Sequence, residues 1–109
     1  MHMKPTAATS ITPRAARAAR QLGSRIQRAR LARQLTQADL AERVRASLGS
    51  IVRIEKGEPG VALWVWLNAM ENLGLLPQLE SLADPATDAL LEASAPKRAA
   101  AARRRNLDF

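Results

Sequence analysis

The sequence predicts an all-α fold of five short helices between disordered basic tails. Apolar residues recur at spacings of three and four from Leu22 to Leu82, which gives each helix one buried face. Helix-starting residues (Thr36, Ser47) and helix-stopping ones (Gly57 with Pro59, then Gly74) fall at the ends of those runs. A chain of 109 residues allows one small domain with a modest core.

In chain order, Met1 to Pro13 is built from small and polar residues and is expected to be disordered. From Arg14 the pattern turns helical. Leu22, Ile26, Ala29 and either Leu31 or Ala32 form an inward stripe with arginines between them. Gly23-Ser24 can mark the true start of this helix, with Arg14 to Gln21 left as a frayed extension or a basic arm.

The stretch from Leu35 to Pro59, LTQADLAERVRASLGSIVRIEKGEP, organises the rest. Leu40, Val44, Ala46, Ile51 and Ile54 supply two buried faces, and small Ala41 sits where crossing helices need close approach. The period breaks between Val44 and Ala46, where the chain turns a corner. Thr36 can cap the first helix by accepting from the N–H of Ala38 or Asp39, and Asp39 suits the positive end of the helix dipole. Ser47 can cap the second helix, with Ser50 three residues on. Gly57 supplies the left-handed stop and Pro59 forbids continuation. Two such helices form a helix-turn-helix unit, the second of which can enter a DNA major groove.

Val61 to Leu76 is the most apolar segment. Leu63, Leu67, Met70 and Leu73 read as the core stripe of a fourth helix ended by Gly74. Trp64 and Trp66 cannot both join that stripe, because residues two apart lie far round a helix. At least one belongs on a second surface, first a homodimer interface and second a partner-protein interface; the bland alternative for either is a core residue filling a gap. Leu75 to Leu82 gives a fifth helix with Leu76, Leu79 and Leu82 inward and Pro77 tolerated in its first turn. Beyond Asp84-Pro85 the pattern weakens. Ala89 to Ala93 can add a helical turn, and the run from Lys97 to Phe109 is expected to be disordered alone. The divisions are thus a basic arm over 1–17, a domain over 18–84 with its motif at 36–56, and a tail over 85–109 that is basic from 97.

The formal charge is +7, and its distribution says more than its size. Eight basic residues and no acid lie between Met1 and Arg33; six acids and no Lys or Arg lie between Gly57 and Ala95; five basic residues and one acid follow. Such a chain has a polyanion-binding end and an acidic end, the alternative being a solvated arginine-rich helix face. The absence of cysteine excludes disulfides and zinc–thiolate sites. No stretch approaches the roughly 20 apolar residues of a membrane span, and the expected location is the bacterial cytoplasm, at the nucleoid. There is no Cys nucleophile, no His base beyond His2 near the start, no phosphate-cradling Gly-rich loop and no metal constellation; Asp84 and Asp88 read as surface charge. Neither catalysis nor a cofactor is expected.

The sequence LTQADLAERV, a turn, Ser47 and then SIVRIEKGEP resembles the Xre or phage-repressor type of helix-turn-helix protein from about Leu22 to Leu82. The resemblance implies a lambda-repressor-like fold of five helices. It implies that Gln37 contacts the DNA backbone and that Leu48, Gly49 and Arg53 sit where relatives read base edges, with Ser47, Ser50, Arg45 and Arg28 completing the DNA-binding set. Arg45 departs from the family, which usually has Gly at a turn position needing positive φ, at a cost of roughly 1 kcal/mol for another residue. Arg53 can address guanine, or alternatively pair with an acid of its own domain; Leu48 can meet only a thymine methyl, and Gly49 offers no side chain. Readout is therefore thin, and shape or another segment is expected to contribute.

Within that family, GEPGVAL, NLGLL and LADPATD are similar to HipB-like antitoxins. This implies a homodimer on a palindromic operator of double-stranded DNA that represses its own operon and neutralises a HipA-like Ser/Thr kinase toxin. The alternatives are a stand-alone Xre-family regulator, or a nucleic-acid or protein-interaction module without operator specificity.

Overall fold

The computed structural model describes residues 10–86 together with Asp88 and Ala93. The expectations for residues 1–9, for most of the Ala89–Ala93 turn and for the tail from residue 97 lie outside the described residues. Five helices follow one another: α1 (Pro13–Ala32), α2 (Gln37–Val44), α3 (Leu48–Glu55), α4 (Leu63–Asn72) and α5 (Leu76–Leu82), with no strand among the described residues. The chain divides into two compact units, Met1–Leu76 and Pro77–Phe109.

Three helices of the first unit start on a side-chain cap, at Thr12, Thr36 and Ser47, while α4 starts at Ala62 without one. Thr12 caps α1 by accepting from the N–H of Ala15 at 3.1 Å, and Pro13 occupies the first turn, where its missing N–H costs nothing. All four helices then end in one motif, in which an N–H just past the end reaches back five residues and the preceding N–H reaches back three. The long bonds run from Leu35 to the Arg30 carbonyl, from Ala46 to Ala41, from Glu58 to Arg53 and from Leu75 to Met70. The residue at the corner is left-handed each time: Gln34 (φ 59°), Arg45 (58°), Gly57 (78°) and Gly74 (73°).

The structure corrects the sequence reading of α1. Gly23 does not start the helix but lies inside it, and Arg14 and Arg17, assigned to a flexible arm, are on it. A Cβ at Gly23 would overlap the Ile54 carbonyl oxygen, and one at Gly57 would meet the Arg20 backbone, so α1 crosses the end of α3 backbone against backbone. The glycine is there for proximity, not for flexibility.

The core of the first unit comes from all four of its helices. Ile26 and Ala29 of α1 meet Leu40, Ala41 and Val44 of α2, Ile51 and Ile54 of α3, and Val65, Trp66, Ala69, Met70 and Leu73 in and just after α4. Burying an Ile or Leu side chain contributes roughly 1.5–3 kcal/mol, and Ile26, Leu40, Ile51, Ile54 and Leu73 are fully buried. Helix α3 lies against α1, α2 and α4. Three expectations about this core fail. Leu31 and Ala32 are exposed, and Arg30 is buried in their stead; Ala46 is only half-buried. The buried face of α4 is rotated from the expected one, leaving Leu63 exposed and Leu67 half-buried while Val65, Trp66 and Ala69 turn inward. In the second unit Leu82, expected inward, is exposed.

Candidate nucleic-acid interface

The candidate surface is the start of α3 and what holds it. Thr36 and Asp39 form a reciprocal cap on α2: the Thr36 hydroxyl accepts from the Asp39 N–H at 3.0 Å, and the Asp39 carboxylate accepts from the Thr36 N–H at 2.9 Å. The Thr36 backbone N–H, with the Thr36 hydroxyl second, holds the Asp39 carboxyl below its ordinary value of 3.8. Ser47 caps α3 by accepting from the Ser50 N–H at 3.1 Å, and the two serine hydroxyls share a 2.8 Å hydrogen bond. Between the helices, Arg45 holds the left-handed corner (φ 58°, ψ 38°) that a glycine was expected to need.

A buried ion pair ties these parts together. The Arg30 guanidinium donates to Glu55 from Nε at 2.7 Å and from Nη2 at 3.0 Å, with side-chain exposures of 8% and 2%. Arg30 Nη1 donates to the Leu35 carbonyl at 2.8 Å, and Gln37 Nε2 donates to Glu55 Oε1 at 3.0 Å. One carboxylate on α3 thus gathers α1, the α1–α2 corner and the first residue of α2. Sequence reading missed this network, although a signal was present. Ile26-Ala29-Arg30 and Ile51-Ile54-Glu55 are both core-spaced stripes ending in a charge, and the two charges are opposite.

Ser47, Leu48, Gly49 and Arg53 face solvent on α3, and Ser50 is half-buried. Arg53 Nε donates to the Gly49 carbonyl at 3.2 Å, one turn back, and no carboxylate pairs with Arg53 among the described residues. The other residues expected to bind DNA are placed unevenly. Arg28 and Arg45 are exposed, Arg28 on the row of α1 facing away from Ile26 and Ala29. Gln37 is half-buried and turned to Glu55, which leaves one amide hydrogen and its backbone N–H free at the start of α2. The two tryptophans separate: Trp64 is 51% exposed beside Leu63, at 69%, while Trp66 is 7% exposed inside the core. Trp66 therefore has almost no surface to offer a partner, and the gap-filling alternative describes it better.

Between Ser10 and Leu76 there are eleven Lys and Arg against five Asp and Glu, and one of those acids, Glu55, is enclosed with Arg30. The exposed surface of this unit is therefore cationic, as a partner of nucleic acid requires. Among the described residues no helix is long and apolar enough to cross a membrane. No curated protein sequence matches the chain. A family model described as a helix-turn-helix domain matches residues 21–82, more than half of the chain and the whole of α2, α3 and α4. On that match, and with two capped helices meeting at a tight corner under a cationic surface, the chain belongs to the helix-turn-helix domain family, whose members bind DNA.

Proposed function

We propose that this protein is a sequence-specific transcriptional repressor of the Xre type, with residues 18–84 as its DNA-binding domain and α3 as its recognition helix. The observation that carries the reading is Arg53: a guanidinium on the exposed face of α3, near its capped start, with no acid paired to it among the described residues. Arg28, Arg45 and the free hydrogens of Gln37 supply phosphate contacts that fix register without reading sequence. A homodimer on a palindromic operator, with half-sites one helical turn or ~34 Å apart, is supported by the adjacent exposed Leu63 and Trp64. The resemblance of GEPGVAL, NLGLL and LADPATD to HipB-like antitoxins supports a further step, in which the dimer represses its own operon in the cytoplasm and neutralises a HipA-like Ser/Thr kinase. A stand-alone regulator is the alternative within this class.

A second reading has its own observation. The serines at the start of α3 are engaged in capping, Gly49 has no side chain and Leu48 no polar atom, so base-reading hydrogen bonds are few. That favours a general nucleic-acid module. Binding of the purified chain to its own upstream DNA against a scrambled duplex, near physiological salt, separates the two. Selective binding is the expected result. Equal binding that collapses with added salt would show a generic cationic surface. Co-purification with the product of a neighbouring kinase gene tests the antitoxin step independently.

A further inference from the structure

We propose that the exposed start of α3 selects a guanine beside a C5-methylated pyrimidine, Arg53 taking the guanine and Leu48 the methyl group. This deepens the DNA-binding reading above and rests on it.

The two residues are five apart, which by itself sets their tips more than a turn from each other along the helix. The structure removes that offset. Arg53 Nε is tied to the Gly49 carbonyl at 3.2 Å, so the guanidinium folds back one turn to Gly49, the residue next to Leu48. A Cβ at position 49 would stand 3.7 Å from Arg53 Nη2, an ordinary contact. Gly49 is thus not a gap in the reading surface, because the Arg53 guanidinium covers it. With Nε anchored, Nη1 and Nη2 keep their N–H groups free, the donor fork that fits guanine O6 and N7.

Leu48, next to Gly49, stands 50% exposed. It has no polar atom and is the one large apolar side chain exposed on α3. Ser47 and Ser50, the neighbours that could read polar base edges, share one hydrogen bond between their hydroxyls, and Ser47 also accepts in the helix cap, so one hydroxyl hydrogen is left between them. The larger groups offered are one donor fork and one apolar surface. In the major groove the apolar group that distinguishes bases is the pyrimidine C5-methyl. A leucine cannot sense whether position 4 carries an oxygen or an amino group, so thymine and 5-methylcytosine offer it the same contact.

The test selects the preferred site of the full-length protein from a random duplex pool and then replaces each thymine singly by deoxyuridine, which lacks only the methyl. We expect one thymine per half-site, next to a guanine, whose replacement weakens binding roughly fourfold, the worth of one buried methyl-sized group. Leu48→Ala should erase that difference while keeping the wild-type melting temperature, since the side chain is exposed. Arg53→Ala should level discrimination at the adjacent guanine. A sharply selected site at which no deoxyuridine matters, or a methyl effect that survives in Leu48→Ala, would overturn the proposal and leave the DNA-binding reading standing. Failure to enrich any site would sink that reading itself. In a final arm the thymine is replaced by cytosine or 5-methylcytosine: a similar gain for the methylated base shows that both sources are accepted, and no gain overturns the part concerning cytosine.

Discussion

Two side chains show how little of this structure's electrostatics can be exchanged piecemeal. Glu55 accepts from both Arg30 and Gln37, and both partners of the ion pair are buried. Removing one member leaves the other charged and enclosed, which costs about 3–5 kcal/mol, whereas replacing both by apolar residues of similar volume is often neutral. Glu55→Ala and Arg30→Ala should therefore each lower stability by about that much in urea titrations, and Arg30→Met combined with Glu55→Leu should recover most of it. Asp39 behaves differently, because it is exposed and its contribution depends on pH. Its carboxyl is held below 3.8 by the Thr36 N–H and hydroxyl, so its stabilising effect is complete above that value and is lost as the pH falls through the lowered one. Melting curves of the wild type and Asp39→Asn should differ most near neutrality and converge as the pH drops below 3.8. The cap was legible in the sequence because Thr36 and Asp39 are three residues apart. The ion pair spans 25 positions, and its one signal, a charge at the end of each of two core-spaced stripes, is easily passed over for an arginine among arginines.

At the scale of the elements, the four shared helix ends explain which boundaries could be read. The stops at Gly57 and Gly74 were visible because the left-handed corner holds glycine; the corner at Gln34 was not, because glutamine rarely adopts it. At Arg45 the left-handed backbone costs roughly 1–2 kcal/mol relative to glycine, against roughly 0.4–1 kcal/mol that glycine loses in the unfolded chain. Arg45→Gly should thus raise stability by up to about 1.5 kcal/mol in thermal melts, even as it removes an exposed cation from the corner between α2 and α3. Gly23 works in the opposite sense. Helix propensity favours alanine there by about 1 kcal/mol, yet a Cβ would strike the Ile54 carbonyl where α1 crosses α3. Gly23→Ala should lower stability, by about 1–3 kcal/mol as overpacked sites do, and a gain instead would mean that the crossing is looser than it stands here. The phase of α4 was misread for a related reason. LWVWLNAM is apolar on nearly every side, so spacing alone cannot choose among its stripes, and the choice falls to whichever face meets α2 and α3.

For the whole molecule the deciding quantity is how affinity divides between charge and base contacts. The arginine-rich opening of the chain was plain from sequence, and the structure keeps Arg14, Arg17, Arg25 and Arg28 exposed on α1 while drawing Arg30 inside. Each cation that meets a phosphate releases counterions, and log K falls against log salt with a slope of about −0.9 per contact. Arg28 and Arg53 should therefore separate in a salt titration on the selected duplex. If Arg28 meets a phosphate, Arg28→Ala lowers affinity for selected and scrambled duplexes alike and reduces the slope by roughly 1. If Arg53 reads a guanine, Arg53→Ala lowers affinity for the selected duplex alone, by the roughly 1–3 kcal/mol of a bidentate base contact. The pairing of results matters more than either value. Loss of selectivity from Arg53→Ala with the slope nearly kept assigns α3 to recognition and the α1 surface to attraction. Equal losses on both duplexes from both variants would mean that no side chain at the start of α3 reads a base, and that DNA is held by charge alone.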